Sequence, residues 1–500
     1  MSNTSYRTIM RSSSIMGGAQ AASIAANILK MKALALLLGP FGVGLAGLYL
    51  SLINTAATIA GLGLGTAGTR RIAAANAAQD DFALHRARTI LLWAGIALAL
   101  IGGIVFWLAS DLIARLAMDN EKRATEIGWL ALGVGLTVAA SAQTALLSGL
   151  RRIGDLARVQ AIAGVTAATL GVLAIWQWGE PGVVAMVLAV PLTILLLGHF
   201  FARRVPHTDA ARPAFRDIIT EFGVISSLGL MIMLSQVATL ASQLIVRVLV
   251  QRELGTDALG YFQAAWTISV TYVGFVLAAM GTDYFPRLSA ALAEPGQANR
   301  LVNEQTEVAL LLCGPVLVAT LGLCPWIVPL LYSDAFGPTV EVLRWQVLGD
   351  VLKVISWPLG FMLLAAGAGK TFMAAELASV SVFILGVHFG LPMVGLNATG
   401  VAFVAMYVLY LALVVAICAW RFGVVWNRTV LIHAACLFAG TVGIVLVADV
   451  SEIAAGALGF VAAILLGLWS MLRISRFSVG GAGAGRLGRL SRKVTAWIKR

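Results

Sequence analysis

The sequence predicts an all-α polytopic membrane protein with about fourteen transmembrane helices, arranged as two parallel six-helix repeats around a central cavity, plus a C-terminal hairpin. Three observations lead to this fold class. Of the 500 residues, 60% are apolar and only 12% are charged, and the mean hydropathy is +0.91. Apolar runs of about 18 or more residues, each long enough to span a bilayer as a helix, recur along the chain. One stretch also repeats without gaps 216 residues later.

Fourteen apolar runs are candidate spans, whereas the short alternating segments typical of a membrane β-barrel are absent. The runs lie near residues 14–38, 42–67, 88–110, 126–148, 158–178, 182–202, 222–249, 259–281, 305–328, 345–366, 371–391, 394–419, 430–448 and 454–473. Lys30 and Lys32 interrupt the first run.

The repeat is anchored by glycines, since Gly39-x4-Gly44 aligns with Gly255-x4-Gly260. Six spans separate the two copies, and an even number means that both copies enter the membrane in the same direction, as parallel repeats. Spans thirteen and fourteen have no counterpart. The predicted domains are an N-lobe of residues 1–210, a C-lobe of residues 211–420, and a segment of residues 421–500 that holds the hairpin and a basic cytoplasmic tail.

The basic residues predict the orientation of the chain in the membrane. Most of the 35 Lys and Arg residues lie on the side that carries both termini, and the positive-inside rule makes that side cytoplasmic. The opposite side holds only Arg115, Lys122, Arg123, Arg252 and Arg344. We therefore interpret the net charge of +12 as a topology signal and not as a nucleic-acid interface. The tail beyond Arg473 is predicted to lie along the anionic inner leaflet.

Motifs for enzymatic chemistry are missing from the sequence. The four cysteines lie in apolar segments without metal-ligand spacing, and we find no Walker-type phosphate cradle, nucleophile elbow or paired acidic loop. The glycine-rich segment Gly61–Gly65 lies within a predicted span, where we interpret it as close helix packing. We predict no catalytic residue, no metal, no cofactor and no enzyme activity.

Cations inside the spans are the candidate substrate-binding residues: Lys30, Lys32, Arg247 and Lys353. Each would cost about 2.5–3.5 kcal/mol at the centre of a membrane helix, so a lipid-facing position is unfavourable. A water-filled cavity removes this cost, and its Lys and Arg side chains suit a phosphate or diphosphate. The repeat alignment sets Met31 opposite Arg247, so the cations of spans one and seven occupy the same level.

Other interpretations of these charges stay open at this point. Arg247 lies near the outer end of its span and could snorkel to water. Asp350 and Lys353 are three residues apart, a spacing that also fits a structural salt bridge. Glu376 lies near the cytoplasmic end of span eleven. If it is enclosed, it is a candidate proton carrier for ion coupling, together with Asp350.

Three segments resemble a known family. The segments Lys30–Leu45 (KMKALALLLGPFGVGL) and Gly61–Arg70 (GLGLGTAGTR) resemble the opening of Wzx-type O-antigen and polysaccharide flippases. Gly349–Leu359 (GDVLKVISWPL) is similar to the tenth helix of the same group. This group is the polysaccharide transporter branch of the multidrug/oligosaccharidyl-lipid/polysaccharide exporter superfamily, in which two six-helix lobes enclose a central cavity. The likeness covers residues 10–420.

The resemblance implies a function. A member of this group would move an undecaprenyl-diphosphate-linked oligosaccharide from the inner to the outer leaflet of the bacterial inner membrane, driven by protons or sodium ions. Membrane lipids, a polysaccharide polymerase and glycosyltransferases are the implied partners, with no nucleic acid. Its cavity cations would be Lys30, Lys32, Arg247 and Lys353. Wzx proteins usually have twelve spans, whereas the fourteen predicted here resemble the lipid II flippase branch. The number of spans and the exact branch therefore stay open at this point.

Two further functions are alternatives. A multidrug antiporter of the MATE type predicts an acidic or aromatic cavity, which the mainly positive cavity disfavours. A membrane-embedded polysaccharide polymerase or ligase predicts a long outer loop that carries Arg, His or Asp. The largest outer loop here, residues 110–125, is short.

Overall fold

The computed structural model describes residues 3–118, 123–205, 215–292 and 294–479. These residues are almost entirely helical, which confirms the all-α fold class. The α-helices are α1 Asn3–Ala60, α2 Leu64–Ala77, α3 Asp81–Leu108, α4 Ser110–Met118, α5 Ala124–Gly149, α6 Ile153–Trp178, α7 Gly182–Arg203, α8 Phe215–Ala291, α9 Pro295–Leu331, α10 Thr339–Ala365, α11 Gly369–Val394, α12 Asn397–Phe422, α13 Arg428–Ala448 and α14 Glu452–Val479.

The chain is a multi-pass membrane protein. Within the described residues, 12 helices are long and apolar enough to cross a bilayer. Two of the 12 segments, Gln20–Ala60 and Gln236–Gly281, are 41 and 46 residues long. At 1.5 Å per residue, each would be about twice as long as a hydrocarbon core of roughly 30 Å if it were straight. Dividing each of them in two would give the predicted fourteen spans, a count that stays a prediction.

Both long helices are interrupted at a glycine of the repeat. The backbone leaves the helical region at Gly39 (φ 63°, ψ −158°) and at Gly255 (φ 86°, ψ 179°). This combination of a positive φ with an extended ψ is essentially restricted to glycine, because a Cβ would clash with the backbone. The repeated glycines therefore specify the same change of direction in α1 and in α8.

The described residues fall into two compact units. Unit 1 comprises those up to Gly260 together with Leu331–Ser333, and unit 2 comprises Tyr261–Leu330 and the residues from Asp334 onward. The division lies inside α8, whereas the predicted lobe boundary lies at residue 210. The first part of α8 packs with the N-terminal helices in this division. The lobes of residues 1–210 and 211–420 remain predictions.

The two copies of the glycine motif contact each other within unit 1. A Cβ added at Gly44 would collide with the backbone of Thr256 and Gly260. A Cβ added at Gly260 would in turn collide with the backbone of Pro40. Since Pro40 aligns with Thr256 and Gly44 with Gly260, the contact is symmetric with respect to the repeat. Here the motif provides a backbone-to-backbone crossing, for which only glycine leaves room.

In unit 2, α10 is the most enclosed of the candidate spans, and it packs against α12. The hairpin of α13 and α14 is attached to α9 by polar contacts. The Arg473 guanidinium donates from Nε to Oε1 of the buried Glu307 at 2.9 Å. Asn303 on α9 donates to the Val425 carbonyl at 3.0 Å and accepts from the Asn427 amide at 2.7 Å. These bonds connect the chain ahead of the hairpin to the same helix.

Gly61–Gly65 does not lie inside a span, because α1 ends at Ala60 and a turn with positive φ at Leu62 and Gly63 leads into α2. The predicted outer loop, residues 110–125, contains the short helix α4. The part of the predicted tail beyond Val479 lies outside the described residues.

Candidate functional site

Lys30 lies on the buried face of the first part of α1. Ala26, Lys30 and Leu34 follow at intervals of four residues, and all three are buried, with Lys30 only 7% exposed. Among the described residues, Lys30 has no hydrogen bond or ion pair. A cation in this position is favourable only if a counter-charge or water reaches it. Lys32 is half-buried on a different side of the helix, as the two-residue spacing predicts.

Arg247 aligns with Met31 and so lies one residue from the position equivalent to Lys30. It is on the first part of α8, eight residues before the break at Gly255, and it also belongs to unit 1. Its side chain is 5% exposed, and Nη1 donates to the Gln243 carbonyl at 3.0 Å. This bond holds the guanidinium beside its own helix. The burial disfavours the snorkelling interpretation, because a snorkelling arginine would expose its charged end.

Asp350 and Lys353 form a buried ion pair on α10 in unit 2. Lys353 Nζ lies 3.8 Å from Asp350 Oδ1, and the Ser269 hydroxyl donates to Asp350 Oδ2. The two partners differ in exposure, since the Asp350 side chain is 0% exposed and the Lys353 side chain is 21% exposed. The predicted structural salt bridge and the predicted site residue are therefore compatible: Lys353 reaches open space from a carboxylate that does not.

Further polar groups surround this pair. Lys353 Nζ lies 5.9 Å from the centre of the Tyr407 ring, which places a cation over an aromatic face. Glu376 on α11 is half-buried, faces the Tyr410 hydroxyl and interacts electrostatically with Lys353. The buried thiol of Cys313 on α9 lies near both Asp350 and Lys353. The structure thus brings together three of the predicted site residues, Asp350, Lys353 and Glu376, within unit 2.

Sequence reasoning missed Ser269 and Tyr407. Ser269 aligns with Ile53 in the other copy of the repeat, so the repeat carries no signal for it. The one available signal was the requirement that a buried carboxylate such as Asp350 has a hydrogen-bond donor nearby. That requirement does not say which of the many membrane-embedded hydroxyls is the donor.

A second polar cluster, also missed, lies at the predicted outer end of unit 1. Arg123 donates to Glu126 at 3.1 Å and to Glu180, and Tyr49 donates to Glu126. Burial acts to lower the pKa of the Arg123 guanidinium, but the hydrogen bonds to Glu180 and Tyr49 outweigh it and raise the pKa. The cluster joins α1, α5 and the loop between α6 and α7. We assign it to holding these helix ends together.

An apolar cavity of about 650 Å³ lies between α9, α13 and α14 in unit 2. Its walls are aliphatic, with Val318, Leu437, Ile444 and Leu458 among them, and the His433 and Trp469 rings meet at one end, 4.7 Å apart. The volume falls in the range of about 300–1,000 Å³ that is usual for ligand pockets. Such a cavity suits a hydrocarbon chain and not a charged ligand.

Metal ligation has no counterpart in the part of the chain that the structure describes. No group of three or more His, Cys, Asp or Glu side chains in these residues could hold a metal ion. The four cysteines are free thiols, and all but Cys436 are buried.

Comparisons with known proteins support the fold and the resemblance. A relative named "Lipid III flippase", from Escherichia coli (strain K12), is 24% identical over 403 residues, which is 78% of this chain and 93% of the relative. The solved structure of "Lipid II flippase MurJ, inward closed conformation" matches with a TM-score of 0.69 at 13% identity, over 92% of this chain and 99% of that one. An inward-facing multidrug resistance MATE family transporter of the MOP superfamily matches with a TM-score of 0.61 at 17% identity, over 83% of this chain and 95% of that one.

The two structural matches show the fold that the resemblance implies. The family model described as "Polysaccharide biosynthesis protein" matches residues 33–341, more than half of the chain. The matched range includes α1 from just beyond Lys30, both glycine breaks and Arg247. The chain therefore belongs to the polysaccharide biosynthesis protein family.

Proposed function

We propose that this protein is a flippase for a lipid-linked oligosaccharide, and that it acts by binding and conformational change without covalent catalysis. The proposed substrate is an undecaprenyl-diphosphate-linked O-antigen or related surface-polysaccharide repeat unit. The protein would move it from the cytoplasmic to the periplasmic leaflet of the bacterial inner membrane, with both termini in the cytoplasm. The relatives named as lipid III and lipid II flippases support the substrate class.

Lys30 is the observation that carries this proposal. It is buried in a membrane helix and, within the described residues, has neither a hydrogen bond nor an ion pair. A diphosphate offers what this ammonium group lacks, because charge-assisted hydrogen bonds to phosphate oxygens compensate for the loss of hydration. Arg247 in the same unit offers the planar guanidinium that binds such oxygens in pairs. Lys32 and Lys353 are the further candidate contacts.

The apolar cavity between α9, α13 and α14 suits a lipid chain. Its aliphatic walls match a polyprenyl chain, which gains about 0.8 kcal/mol per CH₂ when it is transferred out of water. A polyprenyl chain in a bilayer is already out of water, so moving it into the cavity adds little binding free energy. The cavity would mainly orient the chain. We infer that polar recognition of the diphosphate sets the affinity.

Ion coupling belongs to the same proposal. Asp350 and Glu376 are the candidate carboxylates, and protons or sodium ions are the candidate ions. A polysaccharide polymerase and glycosyltransferases are the candidate partners in the membrane.

A MATE-type multidrug antiporter remains the second candidate, because the fold is shared with that group. The charges distinguish the two functions. A cationic drug would be repelled by Lys30 and Arg247, whereas a diphosphate would be attracted. Binding of a prenyl diphosphate, with no binding of a cationic dye, is the expected result.

A reconstituted transport assay tests the proposed function. The full chain is placed in liposomes with a fluorescently labelled undecaprenyl-diphosphate oligosaccharide, and the fraction of label open to a membrane-impermeant quencher is followed. We expect rapid exchange with the wild-type protein and loss of exchange in Lys30→Gln/Arg247→Gln. The matched control is Lys370→Gln, at an exposed lysine. A wild-type rate equal to that of protein-free liposomes would overturn the proposal.

A further inference from the structure

We propose that Lys353 exchanges between Asp350 and the diphosphate of the substrate, and that Asp350 takes up one proton each time the diphosphate binds. The inference rests on the proposed function, since it needs an anionic substrate. It turns the ion pair on α10 into a device that links substrate binding to protonation. The pair is confined to unit 2, and all the groups that the argument uses belong to that unit.

The geometry of the pair is uneven in a way that allows the exchange. Asp350 has no exposed side-chain surface, while 21% of the Lys353 side chain is exposed. Their contact of 3.8 Å is long for a charge-assisted hydrogen bond, which is usually about 2.7–2.9 Å. Asp350 Oδ1 has no hydrogen bond among the described residues, so Lys353 is its nearest source of positive charge. An anion that reaches Lys353 therefore competes with a loose contact.

Lys353 has other attractive neighbours when it leaves Asp350. The Tyr407 ring lies 5.9 Å from Nζ, and Glu376 on α11 interacts electrostatically with the same ammonium group. Cation–π contacts tolerate a range of directions, so Nζ can turn toward a phosphate while the ring stays close. The ammonium group thus remains charged and supported in both positions.

Asp350 has no such alternative. Among the described residues, the groups that face the pair are Ser269 on α8, Cys313 on α9, Glu376 on α11 and Tyr407 on α12, and none of these four is a cation. With Lys353 drawn to the diphosphate, a bare carboxylate would be left in a water-excluded environment. A buried carboxyl group in that situation becomes neutral by taking a proton.

The proton balance of the exchange is simple. In the resting state, Asp350 is a carboxylate and Lys353 is an ammonium. When the diphosphate binds, Lys353 keeps its proton and donates hydrogen bonds to phosphate oxygens, while one proton from water adds to Asp350 Oδ1. When the substrate leaves, Lys353 returns to Asp350 and that proton goes back to water. No covalent bond other than O–H forms or breaks.

The direction of proton movement across the membrane follows from the sequence of uptake on binding and loss on release. It enters on the side where the lipid binds and leaves where the lipid is released, so it travels together with the lipid. Asp350 then reduces the negative charge of the moving complex, on which the membrane potential acts. Glu376 is left as the carboxylate for any ion that moves in the opposite direction.

Titration calorimetry of the purified full chain in detergent tests the inference. Geranylgeranyl diphosphate serves as the probe at about pH 8, well above a phosphate pKa of roughly 6, so that the probe itself is ionised. Repeating the titration in buffers of different ionisation enthalpy measures the protons taken up per bound probe. We expect about one proton more for the wild-type protein than for Asp350→Asn.

Two further variants keep the result interpretable. Asp283→Asn removes a carboxylate from an exposed ion pair with Arg287, and it should take up as many protons as the wild-type protein. If Asp350→Asn does not elute as a monodisperse species, Lys353→Gln replaces it and should show weaker binding without proton uptake. Equal proton uptake in the wild-type and the substituted pair would overturn the exchange alone. Absence of probe binding to the wild-type protein would overturn the proposed function as well.

Discussion

Two lysines within membrane helices, Lys30 in unit 1 and Lys353 in unit 2, show how differently the same side chain can be used in one membrane protein. Lys353 rests on a carboxylate three residues away. Lys30 has no hydrogen bond or ion pair within the described residues, although only 7% of it is exposed. The difference teaches that buried charge alone does not identify a binding residue. What matters is whether the protein already supplies the counter-charge.

The largest expected difference between the two lysines is in stability. Lys353→Met removes one partner of a buried pair, and we expect the free energy of unfolding to fall by about 3 kcal/mol, the lower part of the usual range because Ser269 still donates to Asp350. The loss should shrink at acidic pH, where the stranded carboxyl group is neutral. Lys30→Met should cause no loss, since it removes a charge without stranding another.

Reversible unfolding in mixtures of SDS and mild detergent would measure both variants against the wild-type protein. Asp350→Asn/Lys353→Met is the matched control, and it should recover most of the loss caused by Lys353→Met. Equal destabilisation by Lys30→Met and Lys353→Met would show that the two lysines have equivalent surroundings.

The second prediction concerns the form of the cation in unit 1. Arg247→Lys keeps the charge but loses the planar fork, and we expect geranylgeranyl diphosphate to bind about tenfold more weakly, a difference of about 1.4 kcal/mol. Titration calorimetry measures the change. Arg252→Lys, at an exposed position on the same helix, is the control and should leave the affinity unchanged. An unaltered affinity in Arg247→Lys would contradict paired hydrogen bonding by the guanidinium.

The last prediction tests the part of the molecule in which the two repeats are alike. Gly260→Ala would push a methyl group into the backbone at Pro40, and we expect a stability loss of about 1–3 kcal/mol. Gly443→Ala is the matched control, because no atom lies within 4 Å of its added Cβ. It should be neutral or slightly stabilising, as is usual for an unobstructed helical glycine. Thermal unfolding in detergent compares the two variants, and similar midpoints would contradict the crossing.

Backbone features of this chain were easier to predict from the sequence than the contacts of its side chains. The gaps between the apolar runs 14–38 and 42–67, and between 222–249 and 259–281, contain Gly39 and Gly255, where the structure interrupts α1 and α8. A positive φ with an extended ψ requires glycine wherever it occurs. Gly61–Gly65 was wrongly placed inside a span. Glycines that pack helices and glycines that end them look the same in a sequence, and a turn here separates α1 from α2.

The predicted cations show which side-chain features hydropathy can predict and which it cannot. Hydropathy located Lys30 and Arg247 inside apolar helices, and the spacing of Lys30 and Lys32 predicted that they lie on different sides of α1. Hydropathy did not predict that Arg247 donates to the Gln243 carbonyl. The apolar sequence around Arg247 is compatible with either an exposed or a buried side chain. The choice between them depends on which other helices pack around α8.

By itself, the sequence determined that the chain is a helical membrane protein, where its apolar helices lie, and where a duplicated glycine motif interrupts two of them. These features depend on composition and on local backbone sterics, both of which are set by each residue and its neighbours in the sequence. Only the tertiary structure decided that Ser269 donates to Asp350, that Tyr407 lies beside Lys353, and that Lys30 has no counter-charge among the described residues. Such contacts join residues far apart in the chain, and packing alone brings them within reach of each other.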